Sequence, residues 1–213
     1  MHQVVDLKVM YFGTPVVLIG SRNPDGTANL APMSSAWWLG NGAMLGLGNT
    51  GQTTANLLRE RECVLNLVPS SMVDAVDRLA LLTAAPIVPP HKVRKGYRYE
   101  PDKFGAAGLT EVAAELVRAP RVAECPIQLE CIVVGAYPFG SPDPEATALQ
   151  VEVVRAHVAE ELVIPGTRYI DPIDWDPLIM KFCEFFGDGR NVYPSRLAEG
   201  WQMPHVLEPA LAA

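Results

Sequence analysis

Two short segments carry groups suited to a flat ligand with an anionic tail. The first is Asn29-Leu30-Ala31-Pro32-Met33-Ser34-Ser35. Proline has no backbone N–H and sits at a sheet edge or a bulge, which frees neighbouring amides and carbonyls to meet a ligand. Ser34 and Ser35 add hydroxyls for a polyhydroxyl chain or a polar ring edge. The second segment is Gly48-Asn49-Thr50-Gly51-Gln52-Thr53-Thr54-Ala55-Asn56, in which Thr53, Thr54 and Asn56 stand where a helix begins. A helix N-terminus presents unpaired amide donors and partial positive charge, and hydroxyl and amide side chains there complete a phosphate site. Each residue alone has a plainer role: Thr53 as an ordinary helix cap, the two serines as polar residues on a solvated strand face. Their ordered co-occurrence points to a ligand.

Gly46-Leu47-Gly48-Asn49-Thr50-Gly51 also matches G-x-G-x-x-G, the turn that brings a dinucleotide pyrophosphate onto a helix N-terminus. That fingerprint needs an acid roughly 20 residues further on to hold a ribose. Asn66-Leu67-Val68-Pro69 offers none. It also needs βαβ alternation, whereas this motif follows a series of short antiparallel strands. The glycines read instead as a strand end that lets another strand or a flat ligand approach closely.

Several elements must hold these segments in place. Thr14 to Ser21 is β-branched and apolar, Asn23-Pro24-Asp25-Gly26 has strong turn chemistry, and the chain returns through Thr27 to Met33 as a hairpin. Ser35 to Leu39 and Ala43 to Leu47 read as two more strands joined by Gly40-Asn41-Gly42. A helix from about Thr54 to Arg61 and a strand from Cys63 to Val68 follow. Ser71 and Asp74 predict a capped helix running to about Leu82, and Ala84 to Pro101 a long excursion of the kind that lines a site or a subunit contact. Thr110 to Val117 predicts a helix. Ile127 to Ala136 and Ala148 to His157 predict strands around a Tyr137–Pro144 loop, and Leu178 to Phe186 a helical turn. Trp37 and Trp38 adjoin in a strand and must face opposite ways, one into the core. Cys63 reads as core, and His91, Lys92, Arg94 and Lys95 as a solvated basic loop. So many short strands favour a barrel over a layered parallel sheet.

At 213 residues the chain fits one sizeable domain. With 49% hydrophobic and 19% charged residues, a packed core is expected and wholesale disorder is not. Lysine and arginine total 17 against 24 acids, a net charge of −7, which argues against a nucleic-acid binder. No apolar run is long enough for a bilayer and no signal peptide is visible, so a cytoplasmic location and no membrane partner are expected. Cys63, Cys125, Cys131 and Cys183 are as scattered as the histidines, which predicts reduced thiols and no metal site.

The stretch from Pro15 to Asn66 resembles the flavin reductase-like, FMN-binding split-barrel proteins, which include flavoredoxins and the reductase partners of two-component monooxygenases. The residues that carry the resemblance are Asp25-Gly26, Asn29-x-Ala31-Pro32-x-Ser34, Thr53-x-x-Asn56 and Asn66 in its apolar strand. Asp102-Lys103-Phe104, Gly108-Leu109-Thr110 and Glu130 extend it, and it fades after about Asp171. It implies a mainly β fold with flanking helices, an antiparallel, Greek-key-like split β-barrel over residues 1–170. Residues 171–213 would be an extension packing on the barrel or on a dimer partner. It implies FMN rather than FAD, held by Asn29, Ala31, Pro32, Met33, Ser34, Ser35, Gly48, Asn49, Thr53, Thr54 and Asn56. NADH or NADPH would donate hydride, a homodimer would form, and a monooxygenase or other electron acceptor would follow. No catalytic side chain is implied, because the flavin carries the chemistry. The same barrel hosts pyridoxamine-phosphate oxidases and non-catalytic flavin- or haem-binding proteins, so these readings stay open.

One departure stands out. Many relatives place an arginine or lysine just before the first threonine of Thr-x-x-Asn. Here Asn49, Thr50, Gly51 and Gln52 leave that ground uncharged. Either the helix terminus suffices, or Lys92, Arg94 or Arg22 folds in, or flavin affinity is weak.

Overall fold

The computed structural model describes residues 1–140, 145–193 and 195–204. In chain order the elements are β1 (Phe12–Pro15), β2 (Val17–Arg22), β3 (Ala28–Met33), β4 (Ala36–Leu39), β5 (Gly42–Gly48), α1 (Gln52–Glu60), β6 (Glu62–Leu67), α2 (Val73–Leu79), β7 (Leu82–Thr83), α3 (Pro90–Val93), β8 (Arg98–Tyr99), α4 (Lys103–Ala107), β9 (Glu111–Val112), β10 (Arg121–Val122), β11 (Ile127–Phe139), β12 (Ala146–Val158), β13 (Ile179–Lys181), β14 (Glu184–Phe186) and α5 (Arg196–Gly200). Seven strands form one antiparallel sheet in the order β3-β2-β6-β11-β12-β5-β4. The edge strands β3 and β4 are joined only through Ser34 and Ser35, so the sheet curls until its two edges meet there. This is a split barrel. Bulges at Val154 of β12 and Val134 of β11 bend this long hairpin around it.

The barrel is filled by alternate residues of its strands: Val17, Ile19, Leu45, Leu65, Cys131, Leu149 and Val151 are buried together, with Leu57 of α1. Val16, just before β2, and Leu18 within it join a second cluster with Leu30, Val76, Leu79, Phe104 and Leu178. Burial on both faces explains why Val16-Val17-Leu18-Ile19 is unbroken and apolar rather than alternating. Each buried Leu or Ile contributes about 2 kcal/mol of transfer free energy. Gly20 is required by close approach: a Cβ there would lie 2.1 Å from the carbonyl oxygen of Pro120.

The early strands and turns follow the sequence expectations closely, with α1 starting slightly earlier at Gln52. Trp38 packs against the barrel core while Trp37 is exposed, and Cys63 is fully buried. Other segments differ. Instead of a helix over Thr110–Val117, β9 pairs with β10, and the Glu130 carboxylate accepts from the amides of Glu115, Leu116 and Val117 at 2.9, 2.6 and 3.2 Å. A tertiary acceptor overrides the local helical pattern. The helix expected from Ser71 to Leu82 is a 3-10 turn, Ser70–Met72, followed by α2; neither has a side-chain cap bond, and Leu82 belongs to β7.

Instead of a helical turn, residues 179–186 form the hairpin β13–β14, with Phe182 and Cys183 at φ of 49° and 69° in its turn. Two successive positive φ values usually call for Asn or Gly, so these residues disguise the hairpin. β13 also pairs with β1, which ties the two ends of the chain together. The strands β11 and β12 run further than expected, and part of the Tyr137–Pro144 loop lies outside the described residues.

Candidate functional site

A cavity of about 460 Å³ opens where the barrel is split. Ala31, Pro32, Met33, Ser34 and Ser35 form one wall. They belong to edge strand β3 and the link that follows, so Pro32 lies where its missing N–H costs no ladder bond. Gly46 and Gly48 at the end of β5 face this wall, and a Cβ on Gly46 would come 3.2 Å from that of Ser35. The glycine-rich turn is therefore a close-packed strand end inside an antiparallel sheet. Thr50, Gly51, Gln52, Thr53 and Thr54 line the next side, where α1 starts. Gly51 precedes α1 and no side chain caps it, which leaves the first-turn amides without a capping side chain where α1 lines the cavity.

Behind this surface lies a buried polar network. Asn29 Nδ2 donates to Ser21 Oγ at 2.9 Å and to Thr53 Oγ1 at 3.0 Å. Since Thr53 accepts that bond, its own hydroxyl proton remains for an acceptor in the cavity. The Asn29 Oδ1 atom is buried with no hydrogen-bond partner among the described residues. Thr54 Oγ1 instead donates to the Gly48 carbonyl at 2.7 Å, which fixes the turn. Asn56 is fully buried; it donates to Ser21 and Asn23 and accepts from Gln52 and Arg59. Asn29 and Asn56 thus stand behind the cavity wall and position Thr53 and α1. Asn49 lies off the wall as well, its Oδ1 accepting from Thr147 Oγ1 at 2.7 Å. The other expected residues, Ala31 through Ser35, Gly48, Thr53 and Thr54, all line the cavity.

Of the three cations considered for the uncharged turn, Lys92 is the one that arrives. Its Nζ donates to the Thr50 carbonyl at 3.2 Å, and a Cβ on Gly51 would be 4.0 Å from it. Arg22 is engaged with Glu111 and the Arg118 carbonyl, and Arg94 is exposed. His91 and Lys95 remain exposed, so the basic loop is solvated apart from Lys92.

A second lysine, Lys103, also lines the cavity and is only 3% exposed. Burial, then the charge of Lys92, pushes its ammonium down from the ordinary 10.5 to about 8. Burial also lowers Lys92. Lys103 entered the sequence reading only as part of a family motif. Its buried position was legible from spacing: Lys103 and Ala107 share one helical face, next to Phe104. The far wall, with Tyr11, Met180 and Phe185, was not anticipated, because it depends on the disguised C-terminal hairpin.

The comparisons with known proteins agree with this architecture. The model of the flavin reductase-like domain matches residues 9–178. The uncharacterized protein YdfE of Bacillus subtilis strain 168 is 39% identical over 186 residues, covering 87% of this chain and 88% of that protein. Among solved structures, nitrilotriacetate monooxygenase component B from Bacillus cereus superposes with a TM-score of 0.69 at 25% identity, covering 84% of this chain and 86% of its own. Flavoredoxin of Desulfovibrio vulgaris superposes with a TM-score of 0.75 at 19% identity, covering 93% of this chain and all of its own, a likeness of fold. By its sequence match and its split barrel, this chain belongs to the flavin reductase-like domain family.

Proposed function

We propose that the chain is an FMN-dependent oxidoreductase that takes hydride from NADH or NADPH. The observation that carries the reading is one cavity joining the edge backbone at Ala31–Ser35 to the uncapped N-terminus of α1. The donor set fits a phosphorylated flavin: a spare Thr53 proton, first-turn amides and two lysines line one cavity, with Lys92 beside the start of α1. The apolar and hydroxyl-bearing wall of Ala31–Ser35 suits a flat ring with one polar edge. Bound FMN would supply the redox chemistry, accepting hydride at its N5. The protein's part is to bind and orient. Thr53 and the α1 amides would hold the phosphate, Asn29 would keep Thr53 turned toward it, and Ser34 and Ser35 would meet the ribityl chain or ring edge.

The similarity to a monooxygenase reductase component supports an oxygenase or another electron acceptor as the downstream partner. A homodimer is the proposed assembly. Leu39, Ile132 and Val134 are exposed on the outer side of the sheet, and the register places Leu39 and Ile132 in one lateral row. A cytoplasmic location fits the four free cysteines, three of them buried. Among the described residues no helix is long and apolar enough to cross a membrane.

A visible spectrum tests the central claim. Purified or FMN-loaded protein should absorb near ~450 nm and bleach on anaerobic addition of NADH or NADPH. A stable flavin spectrum unmoved by either nucleotide would leave a binding protein rather than a reductase. Light scattering should give the mass of a dimer; a monomer at micromolar concentration would sink the assembly.

A further inference from the structure

The segment around α3 and β8 concentrates positive charge on the outside of the cavity. From Arg78 to Tyr99 the chain has no acid, and five of its 17 lysines and arginines fall there, although its net charge is −7. Arg94, Lys95 and Arg98 are exposed, and their side chains meet no carboxylate or other partner among the described residues. Arg22, Arg59, Arg118 and Arg155, by contrast, are each paired with a glutamate. The basic loop is held at the cavity mouth. Lys92 and Tyr97 line the cavity, and His91 Nε2 lies 3.4 Å from Thr50 Oγ1. The amides of Lys95 and Tyr97 donate to the Lys92 carbonyl at 2.9 and 3.1 Å. That tight turn sets Arg94 and Lys95 on the rim, between two residues of the wall.

A cavity of about 460 Å³ holds one ligand of flavin size. A dinucleotide that brings its nicotinamide onto such a ligand must leave its adenosine half outside, on the rim. NADPH and NADH differ only there, by a phosphate on the adenosine 2′ oxygen. Sites that choose NADH set a carboxylate on the ribose hydroxyls, whereas an arginine accommodates the 2′-phosphate. This segment carries the arginine and no acid.

We propose that Arg94 and Lys95 bind the 2′-phosphate of NADPH at the cavity rim, which makes NADPH rather than NADH the preferred dinucleotide. The assignment rests on the oxidoreductase reading and deepens it by naming the donor. Arg94 offers planar donors to two phosphate oxygens, and Lys95 adds a second, more mobile charge. Arg98 strengthens the field that draws the anion in.

Calorimetric titration of NADP⁺ and NAD⁺ into FMN-loaded wild type and Arg94→Ala/Lys95→Ala tests this without any turnover. Exposed charge contacts contribute roughly threefold each, so the wild type should prefer NADP⁺ by about tenfold and the double variant by less than about twofold. Both side chains are exposed, so the double variant should fold as the wild type does. Raising the salt from about 0.01 M to about 1 M should erase the wild-type preference, since the screening length shrinks from roughly 30 to 3 Å. NADP⁺ binding no tighter than NAD⁺, or a preference that survives in the double variant, would overturn the assignment and return the patch to an acidic protein surface. Failure of NADPH and NADH alike to bleach the flavin would end the reductase reading, while the calorimetry would still decide the preference. A wild type that took up no FMN would bring down both.

Discussion

Among the described residues two charged side chains are buried, and they are treated in opposite ways. Glu130 is fully buried on β11 and meets three backbone amides together with His157 Nε2 at 2.6 Å. Burial alone would raise its carboxyl, but the amides of Glu115 and Leu116 and the His157 side chain outweigh that and hold it below the usual 4.5. Lys103 is almost as deeply buried and meets nothing among the described residues. The carboxylate is structural: it pins the loop before β10, and Arg155 reinforces that loop through Glu115. The lysine is a charge held ready for something the chain does not itself contain. The contrast teaches how a family likeness can be refined. Satisfied buried charge marks scaffold, and unsatisfied buried charge that faces a cavity marks ligand.

The contrast can be broken most forcefully at Glu130. Replacing it by alanine strands His157 and three amides, and should lower the unfolding free energy by about 3–5 kcal/mol in urea, with FMN affinity barely changed. A loss under about 1 kcal/mol would show that the carboxylate is not the anchor described.

Lys103 should behave in the reverse sense. Its drop from 10.5 to about 8 corresponds to about 3 kcal/mol, which sets a ceiling on the cost of its charge in the apo fold. Lys103→Met should therefore raise apo stability at pH 7 by about 1–3 kcal/mol in chemical denaturation, even as it loses FMN. Because the folded value lies below the unfolded one, the unfolded chain binds more protons between pH 8 and 10.5. Apo wild type should thus gain stability with rising pH across that window, and the methionine variant should lack this slope.

FMN affinity should follow the opposite course. Above pH about 8 the Lys103 charge is lost and binding should weaken, by roughly tenfold at most, with the methionine variant flat over the same range. Titrations at pH 6.5, 7.5 and 9 would show it. The smallest effect is expected at Thr53. Thr53→Val removes one hydroxyl donor and one acceptor for Asn29, and should cost FMN binding about 1 kcal/mol, or roughly fivefold. An unchanged dissociation constant would remove Thr53 from the phosphate site.

The first half of the fold was legible because its signals are local. The Pro24-Asp25-Gly26 turn, the apolar run at Val16–Ile19 and the Thr53–Asn56 helix start each act within a few residues. The rest depended on contacts between distant parts. No local cue reveals that Glu130 claims the amides of 115–117, or that Phe182 and Cys183 accept positive φ. At the site, residue types were easier to read than their directions. Asn29 and Asn56 belong to the constellation but stand behind the wall. The departure at Asn49–Gln52 was visible as a missing charge, yet the lysines that line the same cavity, Lys92 and Lys103, come from segments about 40 and 50 residues further on, a distance that only the folded chain closes.

The pairing of β1 with β13 has a consequence for how the protein comes together and apart. Three of the six barrel pairings join consecutive strands and the longest, β5 with β12, spans 98 to 110 residues, whereas β1 and β13 of this three-stranded annex lie 164 to 169 residues apart. Such non-local contacts are slow to form. The annex should therefore assemble last and open first, exposing its amides to solvent exchange well before the barrel does. Tyr11, Met180 and Phe185 ride on or beside it. One wall of the cavity is thus fastened by the least protected unit of the fold, so ligand entry can proceed by a local breath of the chain ends while the barrel remains shut.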